Sequence, residues 1–336
     1  MKTLFNIGDK ITAGDIASYI FDTIRPVAGY SLRKLSNISG PVIRARRSID
    51  NKEFDFYADE IEGGELQGFA TGDGASDVFV TTWYDQFGNN NAIQTSASSQ
   101  PKIWDSTTGL VTDNGEPALD FDGVNDYLNV GNIGTSTNKS VFGVSSLTGT
   151  STKPQIGFTD GTEDYVPTIY IDNNVNYRNV TQVVYQVTLK NTSDKGFWSV
   201  TFTPSLLKGS INGIYYGETN LPSFFFSHLR IGARGLNGWA NYFLGKYQEL
   251  IIYSSDQSSN RKTIETNVNQ YYIIFGPLRY NQRITEDSGT FALTDRYEAV
   301  YDEVTEIATP SLLCTCDAYK ESTLTTYGAL YNIIPT

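Results

Sequence analysis

Large apolar residues alternate with small or polar ones in short runs along most of this chain. In Trp198-Ser199-Val200-Thr201-Phe202 the alternation predicts a half-buried strand with Trp198, Val200 and Phe202 facing inward. Val78-Phe79-Val80-Thr81-Thr82-Trp83-Tyr84 is rich in β-branched and aromatic residues and reads as another strand. Asp73-Gly74, Asn114-Gly115, Asp122-Gly123, Asp160-Gly161, Asn212-Gly213 and Asn237-Gly238 supply the positive φ that tight turns need. Many short strands without long helices between them predict two antiparallel sheets packed face to face. Two helical patterns flank this region. Ile16, Ile20 and Ile24 recur every fourth residue within 12–24, and Pro26 stops them. Ser258-Ser259 offers a cap for a second helix, with Ile264, Val268 and Tyr271 or Tyr272 on one face and Gly276-Pro277 as its stop. The expected organisation is a short N-terminal segment over 1–26, an all-β sandwich over 27–276 and an extended arm over 277–336.

Charge and composition narrow the partners. A net charge of −12 over 336 residues argues against a nucleic-acid backbone, which needs clustered Lys and Arg. No apolar run approaches the roughly 20 residues of a membrane span, and the first ten residues lack a signal-peptide apolar core. Cys314 and Cys316 stand one residue apart and His228 is the sole histidine, so neither a disulfide framework nor a zinc site is expected. Residues 277–336 hold 4 Lys+Arg against 9 Asp+Glu. Apolar pairs such as Leu312-Leu313 and Ile333-Ile334 make that arm a candidate interface. Its counterpart is the basic run Arg44, Arg46 and Arg47, whose alternation with Ile43 and Ala45 predicts a shared arginine face.

Three stretches carry a family resemblance: Gly29-Tyr30-Ser31-Leu32-Arg33-Lys34-Leu35, Thr81-Thr82-Trp83-Tyr84-Asp85-Gln86-Phe87-Gly88-Asn89 and Leu119-Asp120-Phe121-Asp122-Gly123-Val124-Asn125-Asp126-Tyr127-Leu128. They resemble the N-terminal half of arabinofuranosidase B-type catalytic domains. Lys208-Gly209-Ser210-Ile211-Asn212-Gly213 and Gly245-Lys246-Tyr247-Gln248-Glu249-Leu250-Ile251-Ile252-Tyr253 look like the later strands of a concanavalin A-like, LamG-type jelly roll. The assembled pattern is also similar to domains of tailed-bacteriophage structural proteins. The resemblance implies a two-sheet jelly-roll sandwich. It places the family's acid, an Asp in I-G-G-D-N-x-N-G, at Arg234 of Ile231-Gly232-Ala233-Arg234-Gly235-Leu236-Asn237-Gly238, and a guanidinium cannot donate that proton. Asp172 matches the residue ahead of the family's nucleophile, with no Glu aligned after it.

On these departures the expected function is a non-catalytic bacteriophage virion structural or decoration protein, made in the host cytoplasm and residing in the virion. A host-glycan-binding adhesin and an arabinofuranosidase-like glycoside hydrolase are the alternatives. Its expected partners are other virion proteins or copies of itself, with polysaccharide as a further ligand, and no nucleic acid or membrane. The candidate ligand-binding residues are Trp83, Tyr84, Asp85, Gln86, Asp172, Arg234 and Asn237. Amphipathic aromatics would stack on sugar while Asp and Gln take hydroxyls; otherwise Trp83 is core and Asp85-Gln86 stabilises the next turn. No organic cofactor is expected. Asp120, Asp122, Asn125 and Asp126 bring oxygens at calcium-like density, or form a turn whose side chains cap its own amides.

Overall fold

The computed structural model describes residues 20–37, 40–148, 154–159, 168–171, 174–178, 184–188, 195–220, 227–233 and 241–275. They form a two-layer antiparallel β-sandwich. The first layer is built on the long strand Leu244–Tyr253. One edge of it pairs with Ala28–Ser31 and with Leu119–Asp122. Its other edge pairs with Lys139–Leu147, followed by Lys195–Phe202, Leu206–Ile211 and Ile214–Asn220. The second layer runs from Glu53–Phe56 through Ile43–Arg47, Val78–Trp83, Ala92–Ile93 and Leu128–Val130 to His228–Ile231. It continues into Pro154–Thr159 and the hairpin strands beyond it. Lys102–Asp105 joins the layers, pairing with Leu119–Asp122 on one side and Val78–Trp83 on the other.

Side-chain alternation decides what lies between the layers. Trp198, Val200 and Phe202 are buried in the shared core as the sequence predicts, each 1% exposed or less. Ser199 and Thr201, on the opposite face, bond to Glu265 and Ser140. Tyr30 of the first layer meets Trp83 of the second at 5.8 Å between ring centroids. Gly143 lies opposite Trp198, and a Cβ there would come within 2.2 Å of the indole. That indole is also tied at Nε1 to Ser145 Oγ, 2.9 Å away. The Asn-Gly turns behave as read: Asn114 and Gly115, and Asn212 and Gly213, all take positive φ.

The helix Arg261–Tyr272 covers the outer face of the first layer with Ile264, Val268 and Tyr272. It starts later than the serine cap suggested. Ser258 gives its amide and hydroxyl to Asp256, and the N-cap residue is Asn260. Beneath the helix, Arg33 donates to both oxygens of Glu249 at 2.7 and 2.9 Å and to Asn267 at 3.3 Å. Its guanidinium lies 4.9 Å from the Tyr271 ring centre. Glu249 also accepts from Ser31 at 2.9 Å. At the other end, residues 20–24 of the first predicted helix fall within the described residues, and 20–23 are helical. The short helices Ala58–Gly63 and Glu65–Thr71 were not predicted. The arm over 277–336, with Leu312, Leu313, Cys314, Cys316, Ile333 and Ile334, lies outside the described residues.

The arginines of Ile43–Arg47 do not form an exposed basic face. Ile43 and Ala45 are buried as read, and the pairing with Glu53–Phe56 stays regular; the register shift against Val78–Trp83 leaves Thr81 of that strand as the extra residue. Arg46 turns inward to Gln100 and Asn51, and Arg47 to Asp50, Asp73 and the Phe69 carbonyl. Arg44 alone stays half exposed, paired with Asp55 at 3.2 Å. Truncating Trp198 to Ala should lower unfolding free energy by roughly 3–5 kcal/mol. Gly143→Ala should cost about 1–3 kcal/mol by overpacking against the same ring. Urea titrations with an unchanged m-value would measure both, and a loss below about 1 kcal/mol at Trp198 would contradict this core.

Candidate carbohydrate site

The sequence-predicted segment Trp83–Gln86 is not an open platform. Trp83 is fully buried. Tyr84 hydrogen-bonds Asp55 at 2.8 Å, and burial together with that carboxylate pushes its phenol up to about 12. Asp85 is buried and holds the following turn. One oxygen accepts from the amides of Gly29 and Phe87, both at 3.0 Å, and the other from Asn90. Gln86 accepts from the Leu35 amide at 2.7 Å and donates to the carbonyls of Ser31 and Arg33. These side chains form a floor. Above it lies a cleft of about 560 Å³ whose walls include Lys34, Tyr57, Asp59 and Asn89.

A second cavity of about 530 Å³ lies alongside, and Asn89 belongs to both. Its lining is uncharged: Asn89, Asn90, Asn91, Gln94, Thr95, Ser96, Tyr127 and Asn129, with Ile93 and Gly131. Two distant segments meet here because Ala92–Ile93 pairs with Leu128–Val130. Gln94 is fixed, donating to the Tyr127 carbonyl and accepting from the Ser96 amide. Arg230 lies 4.6 Å from the Tyr127 ring centre and donates to Asn129 Oδ1 at 2.8 Å. Tyr127 also faces Tyr242 at 6.3 Å, beside the bridge between Ala233 and Tyr242. The groove therefore lies beside the Ala233–Tyr242 bridge, and Arg234 and Asn237 fall between those two residues in the sequence. Arg234, Asn237 and Asp172 lie outside the described residues.

Asp122, Asn125 and Asp126 form a capped turn, and Asp120 lies on the strand that leads into it. Asp122 Oδ1 accepts the amides of Val124, Asn125 and Asp126, and Asp126 Oδ2 accepts that of Asp122 at 3.0 Å. Among the described residues, no group of three or more His, Cys, Asp or Glu is placed to hold a metal. No described helix is long and apolar enough to cross a membrane. Burial raises the Asp126 carboxyl to about 7; the Asp122 amide opposes this, while the Asp122 and Asp120 charges add to it.

This geometry can be set beside known proteins. No family model matches the sequence, and no curated protein matches it. Solved structures do match. One is a mutant family 54 glycoside hydrolase, an α-L-arabinofuranosidase soaked with 4-nitrophenyl α-L-arabinofuranoside. It is 16% identical over 79% of this chain and 67% of its own, with a TM-score of 0.57. An arabinofuranosidase complexed with arabinofuranosyl-α-1,2-xylobiose matches at 15% identity over the same shares, with a TM-score of 0.56. The shared property is the fold. It corrects the expectation of a non-catalytic bacteriophage virion structural or decoration protein, and with it the expectation that the chain is not an enzyme. The likeness runs to glycoside hydrolases, and nothing in it points to a phage structural protein.

Sequence reasoning missed the groove residues Asn89–Ser96, Tyr127 and Asn129. The run Gly88-Asn89-Asn90-Asn91 was an available signal, since a polar loop without charge suits a neutral ligand. The Asp126 carboxyl yields a pH prediction. Its folded value of about 7 lies above the unfolded value of about 3.9. Its stabilising contribution is thus complete below about pH 4 and is lost as pH rises through about 7. Asp126→Asn should therefore gain on the wild type between pH 4 and 7, by on the order of 2–4 kcal/mol at the plateau. Parallel stability curves in denaturant titrations from pH 4 to 8 would contradict it.

Proposed function

We propose that this chain is an arabinofuranosidase-like glycoside hydrolase that takes a neutral furanoside glycan in the asparagine-lined groove. The observation that carries the reading is the chemistry of that groove. The Asn89 amide, Asn90 Oδ1 and the Nδ2 groups of Asn91 and Asn129 present donors and acceptors together, matching vicinal hydroxyls, while Val27, Asp85 and Arg230 hold the other ends of the last three. Its lining has no charged side chain to recognise an ionic ligand. The fold shared with arabinofuranosidases supports the same substrate class.

Hydrolysis of a glycoside needs a proton donor on the leaving oxygen. Arg234 occupies the position the resemblance assigns to that donor, so the donor of this chain is another carboxyl; among the described residues none lines the groove itself.

The test is release of nitrophenol from 4-nitrophenyl α-L-arabinofuranoside by the full chain. Tyr127→Ala should chiefly raise KM. Absence of turnover on this and related furanosides would refute the hydrolase.

A further inference from the structure

We infer that the substrate is an extended glycan and that the cleft above Asp85 and Gln86 is a second binding site continuous with the groove; this rests on the reading above. Asn89 lines both cavities, so they adjoin at one exposed side chain. Each, at about 560 and 530 Å³, lies within the range of roughly 300–1,000 Å³ that holds a drug-sized ligand. Together they exceed the needs of one furanose ring.

The cleft also offers uncommitted groups on a rigid frame. Tyr57 is exposed at its rim, and its amide is held by Glu60 Oε2 at 2.8 Å, which fixes its backbone at the start of Ala58–Gly63. Among the described residues, no hydrogen bond or ion pair engages the Lys34 ammonium, the Asp59 carboxylate or the Asn89 amide. The Gln86 floor is tied at both ends of its amide. An aromatic face with donors and acceptors around it is what a further sugar ring would use. The charged pair would take hydroxyls that the uncharged groove does not reach.

Titration calorimetry on the full chain with arabinose, arabinotriose and α-1,5-linked arabinohexaose tests this. Kd should fall at least tenfold from arabinose to arabinohexaose. Tyr57→Ala should erase most of that gain, Tyr57→Phe should keep it, and Lys34→Ala should reduce it. Each variant is checked for an unchanged melting temperature. Equal affinity for arabinose and arabinohexaose, or a gain that survives Tyr57→Ala, would overturn the second site while leaving the hydrolase standing. If none of the three sugars binds and 4-nitrophenyl α-L-arabinofuranoside is not cleaved, the hydrolase itself fails and the second site with it.

Discussion

The buried ion pair between Arg33 and Glu249 is the constraint on which the sandwich closes. Taking both charges out of water is costly, and their attraction compensates only when hydrogen bonds satisfy what remains. Here Ser31, Asn267 and Tyr272 supply them, except at Arg33 Nη1, which is buried without a hydrogen-bond partner among the described residues. The pair joins the end of the first strand to the middle of Leu244–Tyr253 and to the helix that covers it. Arg33 and Glu249 stand 216 residues apart in sequence. Burial alone would lower the Arg33 pKa; Glu249 outweighs it and leaves the guanidinium more firmly charged.

The candidate site hangs from the same strand. Gln86 reads the carbonyls of Ser31 and Arg33, and Asp85 holds the amide of Gly29. The turn at Asn89–Asn91 is thus placed by the element that the ion pair anchors. Close approach is needed for this: a Cβ at Gly29 would strike the Phe87 ring at 2.6 Å. The order of dependence runs from the ion pair to the first strand, to the turn, and only then to the groove.

Period-two alternation and Asn-Gly turns made the strands legible in the sequence, because both signals are local. Trp198, Val200 and Phe202 could be placed inward from five residues alone. What escaped was non-local or short. Ala58–Gly63 and Glu65–Thr71 are under two turns each and meet at Gly64, too brief for a helical period to emerge. Arg46 and Arg47 are withdrawn from solvent by partners such as Gln100 and Asp73, which alternation cannot anticipate. The segment Trp83–Gln86 drew attention as a site because buried scaffolding and ligand contacts use the same polar residues. The groove itself exists only once residues 89–96 and 127–131 are paired.

The hydroxyl of Tyr30, deep in the core, donates to the carbonyl of Asn90 on the groove wall. A wall clamped from beneath cannot remodel itself around a misfit. Binding therefore forfeits little loop entropy. The corresponding intolerance is toward deoxy analogues, since each missing hydroxyl strands an amide that has no freedom to find another partner. Such a surface discriminates by refusal, and its selectivity is stored in the hydrophobic core behind it.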